Sequence, residues 1–352
     1  VILGSRFSSG NNKANNRTSL RRRSPILKVK MLLVCIALVF LAALFYVWYQ
    51  KADADLTLLW NHQFINTRPN EFAGRVVWVT GASSGIGEEV AYAFARLGAS
   101  LALSGTRVDA LERVRLNCLA AGAAAALVVA FDIADCDFHQ RKLAEVVNGL
   151  GSPEVLVNNA GILQRAEFTA SSVEVEKKLF DVNVFGVTNL CRVVVNHWLS
   201  TGQDMCRLSV TSSAAGKMGS PFSAAYSGSK HALHGYLETL RDELSCAESF
   251  IKITIACPGP VRSQLRVNAL TATVGERYNK VDTSSQRKLM DTRRCAELIV
   301  TGIRHSLDEL WIAEQPLLTL FYVYQYFPSV FRRFLIRFVM TKSQIEKFRK
   351  GE

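Results

Sequence analysis

The chain is short of the features that build metal centres, nucleic-acid surfaces and repeat arrays. Its eight cysteines, Cys35, Cys118, Cys136, Cys191, Cys206, Cys246, Cys257 and Cys295, include no C-x-x-C pair and no zinc spacing. A zinc site of that kind is excluded, and most of these thiols lie in apolar surroundings that suit burial. No basic stripe interleaved with stacking aromatics runs through the middle, so a nucleic-acid footprint is excluded as well. No internal repeat is visible, which removes solenoids and propellers.

What is present is apolar content and charge at the ends. The 352 residues are 49% hydrophobic with a formal charge of +12. That length holds one doubly wound α/β domain of roughly 250 residues with a tail at each end. Arg17, Arg21, Arg22, Arg23, Lys28 and Lys30 precede an uncharged run from Met31 to Tyr49. Arg332, Arg333, Arg337, Lys342, Lys347, Arg349 and Lys350 gather at the other end. Such charge beside apolar runs suits a membrane surface.

The run at 31–50 is near the roughly 20 residues that cross a bilayer, and Trp48 and Tyr49 suit its interface. A cleaved signal peptide is the competing reading, but no small-x-small site closes the run, which favours a retained single-pass anchor. Two starts stay open: Val1, with 1–30 a disordered basic tail, or Met31, with 1–30 foreign to the native chain. With 1–30 present, the positive-inside rule puts the domain that follows in the lumen. Residues 51–73 read as a connector, 74–315 as the folded domain and 316–352 as a separate aromatic and basic tail.

The domain opens on Val77-Trp-Val-Thr-Gly-Ala-Ser-Ser-Gly-Ile-Gly87. An apolar strand, a turn through Gly81, Gly85 and Gly87 and an amphipathic helix follow one another there. Backbone N–H groups and a helix N-terminus then make an anion site. Further strands are expected at 100–104, 127–131, 155–157, 208–212, 251–256 and 309–313, alternating with helices, as in a parallel sheet covered on both faces. The alanine run 123–126 reads as a helix-to-strand junction. At the end of the second strand, where NAD-binding proteins place an acid on the ribose, stand Ser104-Gly-Thr-Arg107. With no acid and a guanidinium nearby, NADP(H) is favoured over NAD(H).

Ser213 follows the fifth strand, Tyr226 stands thirteen residues later, and Lys230 lies one helical turn beyond it. A free phenol has a pKa of about 10, and a fixed ammonium moves it toward a working range for proton exchange.

The glycine turn T-G-x-x-x-G-x-G, the Asn158-Asn-Ala-Gly161 run and the Ser213, Tyr226, Lys230 spacing together resemble the short-chain dehydrogenase/reductase family over about residues 74–313. The resemblance implies an α/β fold, a doubly wound Rossmann-like parallel sheet in one domain. It implies hydride transfer between a nicotinamide and a carbonyl or alcohol carbon. Tyr226 would exchange the proton, Ser213 would orient the oxygen, Lys230 would tune Tyr226 and hold the ribose, and Asn183 would hold a water in a proton relay. Contacts to the cofactor are implied for Thr80, Gly81, Ser83, Ser84, Gly85, Ile86, Gly87, Arg107, Asp132, Ile133, Asn159, Ala160, Gly161, Tyr226 and Lys230. Pro258, Gly259, Val261 and Ser263, in a variant of P-G-x-V-x-T, are implied at the nicotinamide end.

Residues 262–290 lack periodicity and suit a mobile substrate lid. The tail carries Phe321, Tyr322, Tyr324, Tyr326, Phe327, Phe331, Phe334 and Phe338 among arginines, with Pro328 breaking any span. It reads as a membrane-interfacial segment, with a dimer face as the second reading. The anchor and tail are similar to those of the microsomal members of the family. That likeness implies an endoplasmic reticulum enzyme acting on a lipophilic ketone, aldehyde or alcohol, such as a steroid or retinoid, and a homodimer through the helices around Asn183 and Tyr226. The other reading, a tethered non-catalytic dinucleotide-binding scaffold, requires the loss of Ser213, Tyr226 or Lys230, and none is lost.

Overall fold

The computed structural model describes residues 25–65, 70–203, 205–273, 275–276, 289–335, 341–343 and 345–346. It divides into two units, 1–50 and 51–352. The first holds helix α1, Pro25–Lys51. Within the 23 residues from Val29 to Lys51 an 18-residue window has a mean hydropathy of 2.7, and none of that window is buried. At about 1.5 Å per residue, this is long and apolar enough to cross a membrane.

The second unit is built on seven parallel strands, β1 Val76–Thr80, β2 Ser100–Ser104, β3 Ala125–Val128, β4 Val155–Asn158, β5 Arg207–Thr211, β6 Lys252–Pro258 and β7 Glu309–Ile312. They lie in the order β3-β2-β1-β4-β5-β6-β7. The step from β1 to β4 reverses the winding, and such a switch point opens a crevice at the strands' carboxyl ends. The helices are α2 Leu56–Phe64, α3 Gly85–Ala95, α4 Val108–Ala120, α5 His139–Leu150, α6 Val173–Phe180, α7 Val187–Thr201, α8 Ala224–Cys246, α9 Thr292–Arg304, α10 Leu317–Tyr326 and the short α11 Pro328–Val330.

Alternate strand residues feed two cores. Val77, Val79, Leu101, Leu103, Val155 and Val157 join the core that includes Phe94, Leu111 and Ile299. Trp78, Ala102, Leu156, Leu208 and Val210 join the opposite core with Leu143, Leu190, Trp198 and Leu237. Burial on both faces is why the strands read as apolar runs instead of alternating ones.

Two expectations change. Ala123 and Ala124 form the helix-to-strand junction, but the second half of the alanine run is part of the sheet: Ala125 pairs with Ser100 and Ala126 with Leu101. The third strand therefore starts two residues earlier than 127 and ends at Val128. Its small side chains mask the pattern, because β3 is an edge strand that carries little of the core. The connector is also no free tether. Ala54 bridges Ile312 in antiparallel fashion, and Asp55 N–H donates to the Trp311 carbonyl at 2.9 Å. Arg294 grips Asp53 through two bonds of 2.8 and 3.1 Å. Residues 53–55 thus cover the open edge of β7, which would otherwise expose unpaired backbone groups. The central part of the expected lid, 277–288, lies outside the described residues, as do 1–24 and most of the tail beyond 335.

Candidate active site

The switch-point crevice is floored by the glycine turn. Gly81 and Gly85 have φ of +64°, a conformation that favours glycine. A Cβ on Gly81 would lie 2.8 Å from the Ala160 Cα, and one on Gly87 would lie 2.4 Å from the Gly81 carbonyl oxygen. The turn is thus packed directly onto the stretch that ends β4. Thr80 Oγ1 secures that contact by accepting from the N–H groups of Asn159 and Ala160 at 3.1 and 3.2 Å. Asn159 Nδ2 donates back to the carbonyls of Thr80 and Gly81, both at 3.4 Å.

Helix α3 starts at Gly85 without a side-chain cap, since the Ser84 hydroxyl makes no bond to its first turn. Its leading N–H groups can therefore be satisfied by a phosphate. Arg107 reaches over the same turn and donates to Ser84 Oγ at 2.8 Å and Ser83 Oγ at 3.1 Å. Ser263, from the loop after β6, closes the other side, with its Cβ 3.3 Å from where a Cβ on Gly85 would stand. These observations fit a dinucleotide: a cradle that any added methyl would fill, an uncapped helix end and a guanidinium above it. Ile86 follows in the first turn of α3, half-buried.

Asp132 and Ile133 lie beyond β3, at the crevice rim. Asp132 Oδ1 accepts from the Ala134 N–H at 3.0 Å, a local turn bond. His139 Nε2 holds the Ile133 carbonyl at 3.0 Å. Pro258 ends β6, and Gly259 N–H donates to the Ile312 carbonyl at 2.7 Å. Val261 is buried and bridges Met290.

The side chains expected to carry the chemistry gather where β5 ends. Ser213 caps the 3-10 turn Ala214–Gly216, its hydroxyl accepting from Ala215 N–H at 3.1 Å. That hydroxyl lies near enough to the Tyr226 phenol to influence its titration. Ser212, its neighbour, faces the other way, toward His234. Tyr226 and Lys230 occupy one face of α8 and are 7% and 3% exposed. Lys230 Nζ donates to the Thr211 carbonyl at 2.8 Å and stands 5.9 Å from the Tyr226 ring centre. Burial lowers the Lys230 ammonium to about 8, because an apolar setting disfavours the charged form. Burial likewise raises the Tyr226 phenol, and the nearby Ser213 hydroxyl works against that rise.

Asn183 does not sit in a plain helix. It lies in a π-helical segment, Asp181–Gly186, between α6 and α7. The widened turn aims its amide at the loop after β4. Ile162 N–H donates to Asn183 Oδ1 at 2.8 Å, and Asn183 Nδ2 donates to the Ile162 carbonyl at 2.9 Å. Gly161 fills the gap between the two halves of the site, since a Cβ there would stand 3.2 Å from Asn183 Oδ1 and 3.5 Å from Lys230 Nζ.

Two participants escaped sequence reasoning. The Thr211 carbonyl holds Lys230, and a backbone acceptor leaves no residue-type signal. Ser229 accepts from Asn183 Nδ2 at 3.1 Å and donates to the Tyr226 carbonyl at 2.8 Å. Its place immediately before Lys230 was visible in Tyr-Ser-Gly-Ser-Lys.

Residues 75–273 match the family model of the short chain dehydrogenases. Dehydrogenase/reductase SDR family member 7 of Homo sapiens is 38% identical over 325 residues, covering 91% of this chain and 93% of that one. Its Mus musculus counterpart is 37% identical over 286 residues, covering 80% and 82%. A crystal structure of a short chain dehydrogenase/reductase from Burkholderia phymatum, in complex with NAD, superposes with a TM-score of 0.62 at 28% identity, covering 72% of this chain and 93% of that one. An alcohol dehydrogenase from Thermococcus sibiricus, complexed with 5-hydroxy-NADP, shares the fold with a TM-score of 0.58 at 23% identity, covering 68% and 97%. The glycine cradle, the serine, tyrosine and lysine at the ends of β5 and α8, and these likenesses converge: the chain belongs to the short-chain dehydrogenase family, as an oxidoreductase that works with a nicotinamide dinucleotide.

Proposed function

We propose that the chain is a membrane-anchored, NADP(H)-dependent oxidoreductase that interconverts a lipophilic carbonyl compound and its alcohol. The observation that carries this reading is the assembly of Ser213 with the buried Tyr226 and Lys230 beside the glycine cradle. When bound, the nicotinamide supplies or accepts the hydride. The chain's own residues do the rest. Ser213 orients the substrate oxygen by hydrogen bonding, and the Tyr226 hydroxyl gives or takes the proton on that oxygen. Lys230 in its ammonium form favours the phenolate left after donation and hydrogen-bonds the ribose. Asn183 holds a water that passes the proton onward from Lys230. The cofactor contacts expected for the glycine turn, Asp132, Ile133, Asn159 to Gly161 and Pro258 to Ser263 are part of the same reading.

NADP(H) is favoured by Arg107. It lies over Ser83 and Ser84 with no carboxylate at the end of β2 to repel a 2′-phosphate. A lipophilic substrate is favoured by the wall next to Ser213. Leu318 and Phe321 of α10 are buried in a cluster that includes Ala214 and Met218 of the following turn. Farther along the same segment Tyr326, Phe327 and Phe334 are exposed, which suits a helix pair resting on lipid. The long apolar α1 favours a single-pass anchor, and the basic residues before it favour a lumenal catalytic unit at the endoplasmic reticulum. A groove of about 790 Å³ between α7 and α8, lined by Val195, Leu199, Tyr236 and Leu240, suits a second copy of the chain.

Membranes carrying the protein should oxidise NADPH faster than NADH with steroid or retinoid carbonyls. Preference for NADH, or turnover confined to small water-soluble carbonyls, would overturn the cofactor or the substrate assignment respectively.

A further inference from the structure

Behind Ser213 lies a polar node that the reaction itself does not use. Ser212, 2% exposed, follows β5. Its N–H donates to the Ala256 carbonyl of β6 at 2.7 Å. Its hydroxyl bonds the Lys230 carbonyl at 3.3 Å and His234 Nε2 at 3.0 Å. His234 is one turn of α8 beyond Lys230 and is also buried. Gly216 presses on the node from the turn that Ser213 caps. A Cβ there would lie 2.5 Å from Ser212 Oγ, 2.9 Å from the Lys230 carbonyl oxygen and 3.1 Å from His234 Nε2. The end of β5, the Ser213 turn and the catalytic turn of α8 therefore meet at one hydrogen-bonded point.

The far side of the imidazole faces charge. His234 Nδ1 has no hydrogen-bond partner among the described residues and stands 3.7 Å from both Glu238 Oε1 and Glu309 Oε2. Lys217 Nζ is 2.7 Å from Glu309 Oε2 and already supplies the cation of that cluster, so it is an ion-pair network and not a metal site. Burial first, and Lys217 second, lower His234 to about 4, which keeps it neutral at physiological pH. Because the Ser212 hydroxyl gives its one hydrogen to the Lys230 carbonyl, both bonds are made together in the Nε2–H tautomer, in which the imidazole donates to Ser212 Oγ.

We infer that Ser212 and His234 are positioning residues: their hydrogen bond sets the spacing between the Ser213 turn and the Tyr226–Lys230 face of α8. The inference rests on the hydride-transfer reading above. A displacement of about 1 Å in such a site can cost on the order of 100-fold in rate. Neither residue contacts the glycine cradle, so the phosphate end of the dinucleotide keeps its hold even where Lys230 shifts against the ribose.

The test is NADPH oxidation by the full chain in detergent, with the carbonyl that the wild type reduces fastest. Ser212→Ala, His234→Leu, their double variant and His234→Gln are compared with Tyr226→Phe. Ser212→Ala and His234→Leu should each lower kcat by about 10- to 100-fold, with KM for NADPH within about twofold. The double variant should be no slower than the slower single one, since one bond is removed twice. His234→Gln, whose amide reaches the same point, should recover most of the rate. Wild-type kcat in Ser212→Ala, losses that multiply in the double variant, or no recovery in His234→Gln would each overturn the positioning role. If His234→Leu fails to fold, by its melting curve and NADPH fluorescence, Ser212→Ala alone decides, because it deletes a single oxygen. An active Tyr226→Phe would instead overturn the hydride-transfer reading. An inactive Tyr226→Phe beside an unaffected Ser212→Ala would overturn only the inference made here.

Discussion

The two halves of the crevice work by opposite means. In the β1 and β4 half, the important feature is the absence of side chains. Gly81 and Gly87 leave backbone in contact with backbone, and the groups offered to a ligand are N–H groups at the head of α3. In the β5 and α8 half, the important features are atoms at the ends of side chains, with Tyr226 and Lys230 buried, Lys230 held by the Thr211 carbonyl and displaced to about 8 by burial. The first half is therefore vulnerable to adding an atom and the second to removing one. The first also costs the fold little, whereas the second buries a charge whose desolvation is unfavourable.

That contrast can be broken by substitution. The largest effect is expected at the cradle. In Gly87→Ala the new methyl would meet the Gly81 carbonyl oxygen at 2.4 Å and Asn159 Nδ2 at 2.5 Å. Relieving such overpacking costs about 1–3 kcal/mol, so titration of NADPH fluorescence should show affinity reduced by roughly 10- to 100-fold. Unchanged affinity would show that the turn can yield and that the cradle is not built from close contact. A narrower effect is expected of Arg107→Ala, which removes a guanidinium over the turn. The ratio of kcat/KM for NADPH to that for NADH should fall by about 10-fold, the worth of one charge-assisted bond. A constant ratio would move the choice of cofactor elsewhere.

The smallest effect has the opposite sign. Lys230→Met should abolish turnover yet stabilise the unliganded protein by about 1–3 kcal/mol near neutral pH, since a buried charge is replaced by an apolar chain. The pH dependence follows from the depressed value. Between about 8 and the ordinary 10.5 the unfolded chain binds more protons at this residue than the folded one. Its contribution therefore makes wild-type stability rise with pH in that window, and below about 8 the full cost of burial is present. Denaturant melts across pH 7–11 should show the difference between variant and wild type shrinking as pH rises. A difference that is constant with pH would mean that Lys230 is not the group whose protonation costs stability.

How much of this was legible in the sequence depends on distance along the chain. The glycine turn, the Asn158–Gly161 run and the Ser213, Tyr226, Lys230 spacing are local patterns, and parallel-sheet geometry dictates where each must stand. They could be picked out because strand, turn and helix follow one another within a few residues. Other features join positions far apart. Asp53 meets Arg294, 241 residues away, and this pairing turns an expected connector into the cover for the edge of β7. The π-helical turn that aims Asn183 has no residue signature, and β3 begins in a run of alanines because an edge strand needs little bulk. Ser212 and Ser213 are adjacent hydroxyls in the sequence. Only the packing of α8 shows that they have different partners, His234 for Ser212 and the Ala215 N–H for Ser213.

The central claim is that the phenol of Tyr226 exchanges the proton while the cradle holds the dinucleotide independently. It is tested most directly by measuring both properties in Tyr226→Phe, which deletes one oxygen and leaves the ring. NADPH affinity within about twofold of wild type, with kcat for the carbonyl lowered by about 10²- to 10⁴-fold, is the predicted result. Wild-type kcat in that variant would contradict the account.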